Sequence, residues 1–297
     1  MIDRELVRKA RRIELASRRL VDQQLAGQYH SVFKGRGLVF ADVRAYYPGD
    51  DVRAIDWNVS ARMNVPHIKQ FVEERDRTII LVLDCSASLG FGSTTRAKRE
   101  LAAELAAVVA LSAIKNNDRV GLMLVSDRVE RYLPAKKGKR HVMRIIAEIL
   151  AVNPASPRTN LAVGLGLLGR VLRRRAVVFL LSDFLDQPAR WDGALGMLAQ
   201  RHEVVPVVVT DPMEAALPEV GLVHFEDLET GELVEIDTAG PAARAYATAS
   251  AAAAAERDQR LRRLGLDVVT VATDQPYVEA LIAFFRARAR ARHKVRG

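Results

Sequence analysis

The segment Thr78-Ile79-Ile80-Leu81-Val82-Leu83 is an unbroken β-branched and aliphatic run that ends in Asp84-Cys85-Ser86-Ala87-Ser88. A strand with no polar alternation has to be covered on both faces. A parallel sheet with helices on each side meets that condition. The pattern then repeats along the chain. Strand-like runs at 119–126, 176–181, 203–210 and 267–272 alternate with helix-like segments at 95–115, 139–151, 161–172, 188–201, 241–264 and 276–291. Residues 129–133 follow the 119–126 run after a short turn, which predicts antiparallel pairing with it. The expected fold class is α/β, with a doubly wound, mostly parallel sheet of Rossmann type. Pro206 lies inside the 203–210 run and predicts an edge strand or a bulge there, because proline brings no N–H to a ladder.

Three regions follow from shifts in composition. Residues 1–27 carry Leu6, Ile13, Leu15, Leu20 and Leu25 among many arginines, a basic amphipathic helix with Gly27 near its stop. Residues 28–76 read as a small β-rich module. Gly35-Arg36-Gly37 leads into Leu38-Val39-Phe40, Pro48-Gly49-Asp50-Asp51 is a turn, and 52–57 and 65–72 look like short strands. Arg44, Asp50, Asp51, Arg53, Asp56, Trp57 and Arg62 are dense in this module. They form either a recognition surface or a salt-bridge network, since arginine and carboxylate match as forks. Residues 77–297 form the α/β domain. A hairpin insertion at 221–237 is signalled by Glu229-Thr230-Gly231-Glu232.

The chain of 297 residues is 49% hydrophobic and carries a net charge of +9, much of it near the ends. Arg4, Arg8, Lys9, Arg11, Arg12, Arg18 and Arg19 lie in the first helix; Arg286, Arg288, Arg290, Arg292, Lys294 and Arg296 close the chain. Such ends are able to attract nucleic acid or the surface of an anionic membrane. Few aromatics are interleaved with them, which argues against nucleic acid. For the first helix, a solvated face on a docking helix is favoured over a peripheral membrane contact. The single cysteine, Cys85, excludes an internal disulfide. No apolar stretch reaches the ~20 residues that span a bilayer. A cytoplasmic protein is expected.

Asp84 falls at the carboxyl end of its strand, where open α/β sheets place ligand sites. With Ser86 and Ser88 it offers a carboxylate and two hydroxyls from one turn. Thr159 sits in a loop just before a helix, and Asp183 directly follows a buried strand. This is hard-oxygen chemistry suited to Mg²⁺ or Mn²⁺. Ser156 shares the loop with Thr159 and is the alternative donor there. The competing reading makes Ser86, Ser88 and Asp183 helix caps. Cys85 is expected to be packed rather than reactive, and the histidines show no ligand spacing. No nucleophile–base pair and no Gly-x-x-x-x-Gly-Lys loop is present, so enzymatic activity is not expected. The enzymatic alternative is metal-dependent phosphoryl transfer with Asp84 as nucleophile. Ser86 stands where that chemistry wants a second acid.

Asp84-x-Ser86-x-Ser88 with a distant Thr159 and Asp183 resembles the metal-ion-dependent adhesion site (MIDAS) of von Willebrand factor type A domains. That resemblance implies that Asp84, Ser86 and Ser88 coordinate the metal directly or through water, and that Thr159 and Asp183 complete the site. Tyr46-Tyr47-Pro48-Gly49-Asp50-Asp51-Val52-Arg53-Ala54-Ile55-Asp56-Trp57, then Ser60-Ala61-Arg62, resembles the signature of a bacterial family, domain of unknown function 58. Leu181-Ser182-Asp183-Phe184 and Glu229-Thr230-Gly231-Glu232 resemble it too, and the likeness runs from about Lys34 to Arg288. It implies a partner, a MoxR-type AAA+ ATPase, and an adaptor role in chaperone-like assembly or maturation of client proteins, with no small-molecule substrate. Many members of that family carry N-terminal membrane-spanning helices, where this chain has the arginine-rich helix. The expected function is a metal-dependent protein-interaction module whose open metal position takes a partner's carboxylate.

Overall fold

In the computed structural model, residues 4–32, 38–73 and 77–294 are described. Lys34, Gly35, Arg36, Gly37 and Arg296 lie outside them. The chain forms two compact units, Met1–Val32 with Thr78–Gly297, and Phe33–Arg77. Helix starts immediately, as α1 (Arg4–Leu20), one π turn (Val21–Leu25) and α2 (Ala26–Val32). Gly27 therefore lies inside a helix and does not end it. A helical glycine costs roughly 1 kcal/mol against alanine. The apolar stripe continues past it through Tyr29 and Val32, both buried, so packing outweighs propensity.

The smaller unit holds β1 (Leu38–Ala45), α3 (Trp57–Met63) and β2 (His67–Glu73), with β1 and β2 antiparallel. Residues 52–57 are not the expected strand. Val52–Ala54 is a 3₁₀ turn and Trp57 opens α3. Two aspartates cause this. Asp51 accepts from Arg53 N at 2.9 Å, and Asp56 accepts from Asn58 N at 3.0 Å and Val59 N at 3.2 Å. Such caps offer the backbone an alternative that the β-branched Val52 and Ile55 do not override. Arg44 grips Asp50 as a fork, with both N–H···O distances 2.7 Å. Asp56 faces Lys69 at 3.6 Å. Asp51, Arg53, Trp57 and Arg62 are exposed.

The larger unit continues with β3 (Thr78–Asp84), α4 (Lys98–Lys115), β4 (Arg119–Val125), β5 (Val129–Lys136), α5 (Lys139–Ala151) and α6 (Leu161–Val171). Then come β6 (Val177–Ser182), α7 (Pro188–Arg201), β7 (Glu203–Thr210), the short α8 (Pro212–Ala215), β8 (Leu222–Glu226), β9 (Leu233–Asp237), α9 (Pro241–Arg263), β10 (Val269–Ala272) and α10 (Tyr277–Lys294). Six strands form one sheet in the order β10-β7-β6-β3-β4-β5, parallel except for β5. β8 and β9 form a separate antiparallel ribbon.

The central strand β3 is buried from Ile79 to Asp84. Ile80 and Val82 join Val178, Leu180, Trp191, Leu195 and Leu261 in one core, on the side of α6, α7 and α9. α4 covers the opposite face. Its Ala- and Leu-rich surface is buried over most of its circumference, as expected for a helix sandwiched between a sheet and a further layer. That layer is α1 with α2. α1 packs on α4 and α5, and α2 packs on α4 and α10. Lys115 reaches Asp22 at 2.8 Å, Lys139 reaches Glu14 at 2.6 Å, and Lys9 pairs with Glu100. The arginine-rich N-terminal segment is a docked helix on which Arg8, Arg11, Arg12, Arg18 and Arg19 are exposed.

Pro206 is not on an edge strand, because β7 lies between β6 and β10. Glu203 N donates to Ala176 O, towards β6, while Thr210 O accepts from Thr273 N on the β10 side. Even-numbered residues of β7 therefore face β10. β10 begins at Val269, opposite Val207, so the N–H that Pro206 lacks would have met no partner strand.

Candidate metal centre

From β3 the chain moves to β4 on one side, and from β6 it moves to β7 on the other. The crevice between the carboxyl ends of β3 and β6 is thus the topological switch point of the sheet. Asp84 ends β3 and Ser182-Asp183 ends β6. The register that pairs Leu83 with Leu181 sets Asp84 beside Ser182. Asp84 is fully buried. Its Oδ1 accepts from Ser86 N at 2.9 Å and Ser86 Oγ at 2.7 Å, and its Oδ2 accepts from Ser182 Oγ at 2.7 Å. Ser86 Oγ lies 3.1 Å from Ser88 Oγ. Burial and the nearby Asp183 push the Asp84 carboxyl up to about 6, against the pull of its serine donors.

Lys98, in the first turn of α4, is fully buried as well. Its Nζ donates to Asp183 Oδ2 at 2.7 Å and to Glu214 Oε1. Burial alone would lower the lysine pKa, but the two carboxylates outweigh it and hold it above the ordinary value. Glu214 is pushed up by its own burial. It sits in α8, capped by Asp211, whose carboxylate also takes Ser93 N at 2.9 Å and Thr273 Oγ1 at 2.7 Å. Burial would raise Asp211, yet these donors hold it below the usual carboxylate range. The loops after β3, β7 and β10 are thereby tied together around the end of the sheet.

Two further loops approach the same turn. Ala87 N donates to Pro157 O at 2.9 Å, joining the Asp-x-Ser-x-Ser turn to the loop that holds Thr159. Thr159 Oγ1 donates to Glu229 Oε1, at the tip of the β8–β9 ribbon, at 2.7 Å. Ser156 Oγ is engaged locally, accepting from Arg158 N at 3.3 Å. Cys85 is buried, its thiol pushed up to about 12 by burial and by Asp84, and its Sγ donates to Val125 O.

Sequence reasoning singled out Asp84, Ser86, Ser88, Thr159 and Asp183. The fold clusters Asp84 with the two serines, turns Asp183 towards Lys98 and Thr159 towards Glu229. It missed Ser182, Lys98, Glu214 and Glu229. Lys98 had one available signal, since a lysine in the first turn of a helix opposes the macrodipole and needs a reason to be there.

The donor set fits a hard divalent cation. Adjacent ligands of an octahedral Mg²⁺ lie about 3 Å apart, given metal–oxygen distances near 2.1 Å. The Asp84–Ser86 and Ser86–Ser88 oxygen spacings of 2.7 and 3.1 Å match such edges. Among the described residues no three His, Cys, Asp or Glu side chains gather as a metal cluster. The hydroxyls of the turn would have to carry the coordination.

A doubly wound sheet with one antiparallel edge, whose central strand ends in Asp-x-Ser-x-Ser at the switch point, defines a von Willebrand factor A-like domain. The chain belongs to the DUF58 family, described as protein of unknown function DUF58, which matches residues 42–258. It is 35% identical over 292 residues to the uncharacterized protein Rv1480 of Mycobacterium tuberculosis (strain H37Rv), covering 97% of this chain and 91% of that protein. Among solved structures it is similar to the hypothetical protein BatB of Bacteroides thetaiotaomicron, with a TM-score of 0.47 and 14% identity over 72% of this chain and 99% of that one. A von Willebrand factor type A protein of Catenulispora acidiphila gives a TM-score of 0.39 at 13% identity, covering 75% and 43%.

Proposed function

We propose that this chain is a metal-dependent protein-interaction module, an adaptor that docks an acidic side chain of a MoxR-type AAA+ ATPase or of its client. The observation that carries this reading is the convergence of Asp84 Oδ1, Ser86 Oγ and Ser88 Oγ at octahedral-edge spacing on a switch point. Bound there, Mg²⁺ or Mn²⁺ supplies a Lewis-acid position to which a partner's carboxylate can bind. The protein's own groups prepare that position. Ser182 and Ser86 orient Asp84, and Lys98 balances Asp183 and Glu214 so that the site is not left with four uncompensated carboxylates. The reading is non-catalytic: the site's one described ammonium is committed to two carboxylates, and the carboxylate beside Ser86 is Asp84, which this reading gives to the metal. The proposed compartment is the cytoplasm. No described helix is long and apolar enough to cross a membrane.

The test is affinity capture from native cytosol, with Mg²⁺ or with chelator, using the wild type and Asp84→Ala. The expected result is an AAA+ ATPase recovered by the wild type with Mg²⁺, and lost both on chelation and in the variant. Capture indifferent to both changes overturns the metal-dependent reading. Phosphoester turnover abolished by Asp84→Ala would replace it with the enzymatic one.

A further inference from the structure

The β8–β9 ribbon is exposed along most of its length. Leu222, Leu228, Leu233 and Val234 all lie open to solvent. A two-stranded ribbon is marginal by itself in water, so what anchors its tip matters. The tip is built to present one side chain. Asp227 Oδ1 accepts from Glu229 N at 2.8 Å and Thr230 N at 3.1 Å, and Gly231 N donates to Asp227 O at 2.7 Å. Gly231 supplies the left-handed backbone this turn requires, with φ of +75°. The turn leaves its neighbours Leu228 and Thr230 exposed, while Glu229 is half-buried with Oε1 on Thr159 Oγ1 at 2.7 Å.

The position reached is significant for its chemistry. Thr159 is the hydroxyl that the metal reading assigns to the site, on the loop whose Pro157 O takes Ala87 N of the Asp-x-Ser-x-Ser turn, and by giving its proton to Glu229 it keeps its lone pairs available for a cation. The Glu229 carboxylate offers the same hard oxygen that an external acidic partner would bring. It is also tethered. An internal carboxylate on a short turn competes at an effective concentration in the millimolar range without any ordering step of its own. We infer that Glu229 is an internal ligand of this site, a carboxylate from the chain's own hairpin that fills the open position until an external carboxylate displaces it. The ribbon is then a cover that a partner has to lift. This inference rests on the metal reading of the preceding section.

The full chain is titrated with Mn²⁺, following the free ion by electron paramagnetic resonance, as wild type, Glu229→Gln and Glu226→Gln. Glu226 lies on the same ribbon and serves as the control. Glu229→Gln should weaken Mn²⁺ binding about tenfold, the scale seen when a supporting group of a metal site is lost. Glu226→Gln should match the wild type. Millimolar acetate should restore the affinity of Glu229→Gln and leave the wild type unchanged. Hydrogen exchange gives an independent readout, in which Mn²⁺ slows the amides of residues 222–237 in the wild type and not in Glu229→Gln. Equal Mn²⁺ affinity of Glu229→Gln and wild type, or ribbon exchange unmoved by Mn²⁺ in the wild type, overturns the internal ligand while the metal site stands. Absence of Mn²⁺ binding by the wild type overturns the metal site itself, and the internal ligand with it.

Discussion

Lys98 Nζ stands 2.7 Å from Asp183 Oδ2, joining the first turn of α4 to the end of β6. The lysine is buried, lies at the unfavourable end of its helix dipole, and has Glu214 as a second carboxylate. Its placement is explained by those acids. The chain thus supplies a cation of its own beside the turn that would hold a divalent one.

Removing that cation should be costly. Lys98→Met leaves Asp183 and Glu214 in a dry site without their counter-charge. Breaking a buried pair from one side costs about 3–5 kcal/mol. Urea unfolding should show a loss of that order. Adding Glu214→Gln should recover part of it, because one stranded charge is removed. Mg²⁺ should also stabilise Lys98→Met more than the wild type, through binding to a more negative site. A variant within about 1 kcal/mol of wild type would mean the pair is solvated and carries little.

The raised Asp84 carboxyl gives a pH signature with a definite sign. Its folded pKa of about 6 lies above the ordinary 3.8, owing to burial and to Asp183. Between those values the folded chain holds a proton that the unfolded chain has released. The contribution of this group to stability is therefore fully present below the ordinary value and falls as pH rises through the window. Asp84→Asn cannot ionise there. Relative to the wild type, it should become progressively more stable as pH rises from about 4 to about 7, by an amount on the order of 1–3 kcal/mol. Denaturant unfolding of both proteins across that range measures the difference. A difference that stays flat would show Asp84 ionising normally in the folded state.

These groups differ in how far they could be read from sequence, and the reasons are physical. β3 was legible because it is buried on both faces and so lacks polar residues, and Asp84-Cys85-Ser86-Ala87-Ser88 was legible because its ligands are local. Where local capping competes with apolar pattern, the pattern misleads, as with Asp51 and Asp56 turning residues 52–57 away from a strand. Gly27 and Pro206 were misread for the complementary reason. Each breaks a rule whose cost depends on neighbours that sequence does not show, the buried Tyr29 and Val32 in one case and the late start of β10 in the other. Lys98 and Glu229 meet their partners across 85 and 70 residues. No periodicity encodes such contacts, which exist only once the sheet order has set the loops side by side.

Gly164 links the packing of α6 to the site. A Cβ there would lie 2.5 Å from Val125 Cγ2 and 3.2 Å from Val125 Cγ1. Val125 is buried and β-branched, so it cannot rotate away freely. Gly164→Ala would gain up to about 1 kcal/mol of helix propensity, but overpacking costs about 1–3 kcal/mol, and the second should win. Relief requires α6 to shift. Asn160, just before α6, is tied to Ser126 O at 2.9 Å, so the shift strains the loop that carries Thr159. Gly164→Ala should lower both the melting temperature and Mn²⁺ affinity. Gly166→Ala, with nothing within 4 Å of its Cβ, should raise the melting temperature and leave Mn²⁺ binding unchanged. Equal behaviour of the two variants would refute the contact.

Phe184, the residue after Asp183, has a φ of +55°, rare for a side chain of its size. It is held there by Ser182 Oγ, which accepts from Phe184 N at 3.0 Å, and by an edge-on contact with Trp191 at 5.3 Å between ring centres. This turn sets Asp183 so that Oδ1 takes Leu185 N at 3.2 Å and Oδ2 faces Lys98. Truncating the buried ring to alanine should cost about 3–5 kcal/mol. Replacement by glycine removes the same ring but also the left-handed penalty, worth about 1 kcal/mol or more. Phe184→Gly should therefore be more stable than Phe184→Ala, the reverse of the usual order in regular structure, where glycine is the worse residue by roughly that amount. Urea unfolding of the two variants gives the sign directly. Alanine proving the more stable would show that the backbone relaxes out of the left-handed region once the ring is gone, and that the ring, not the turn, is what holds Asp183 towards Lys98.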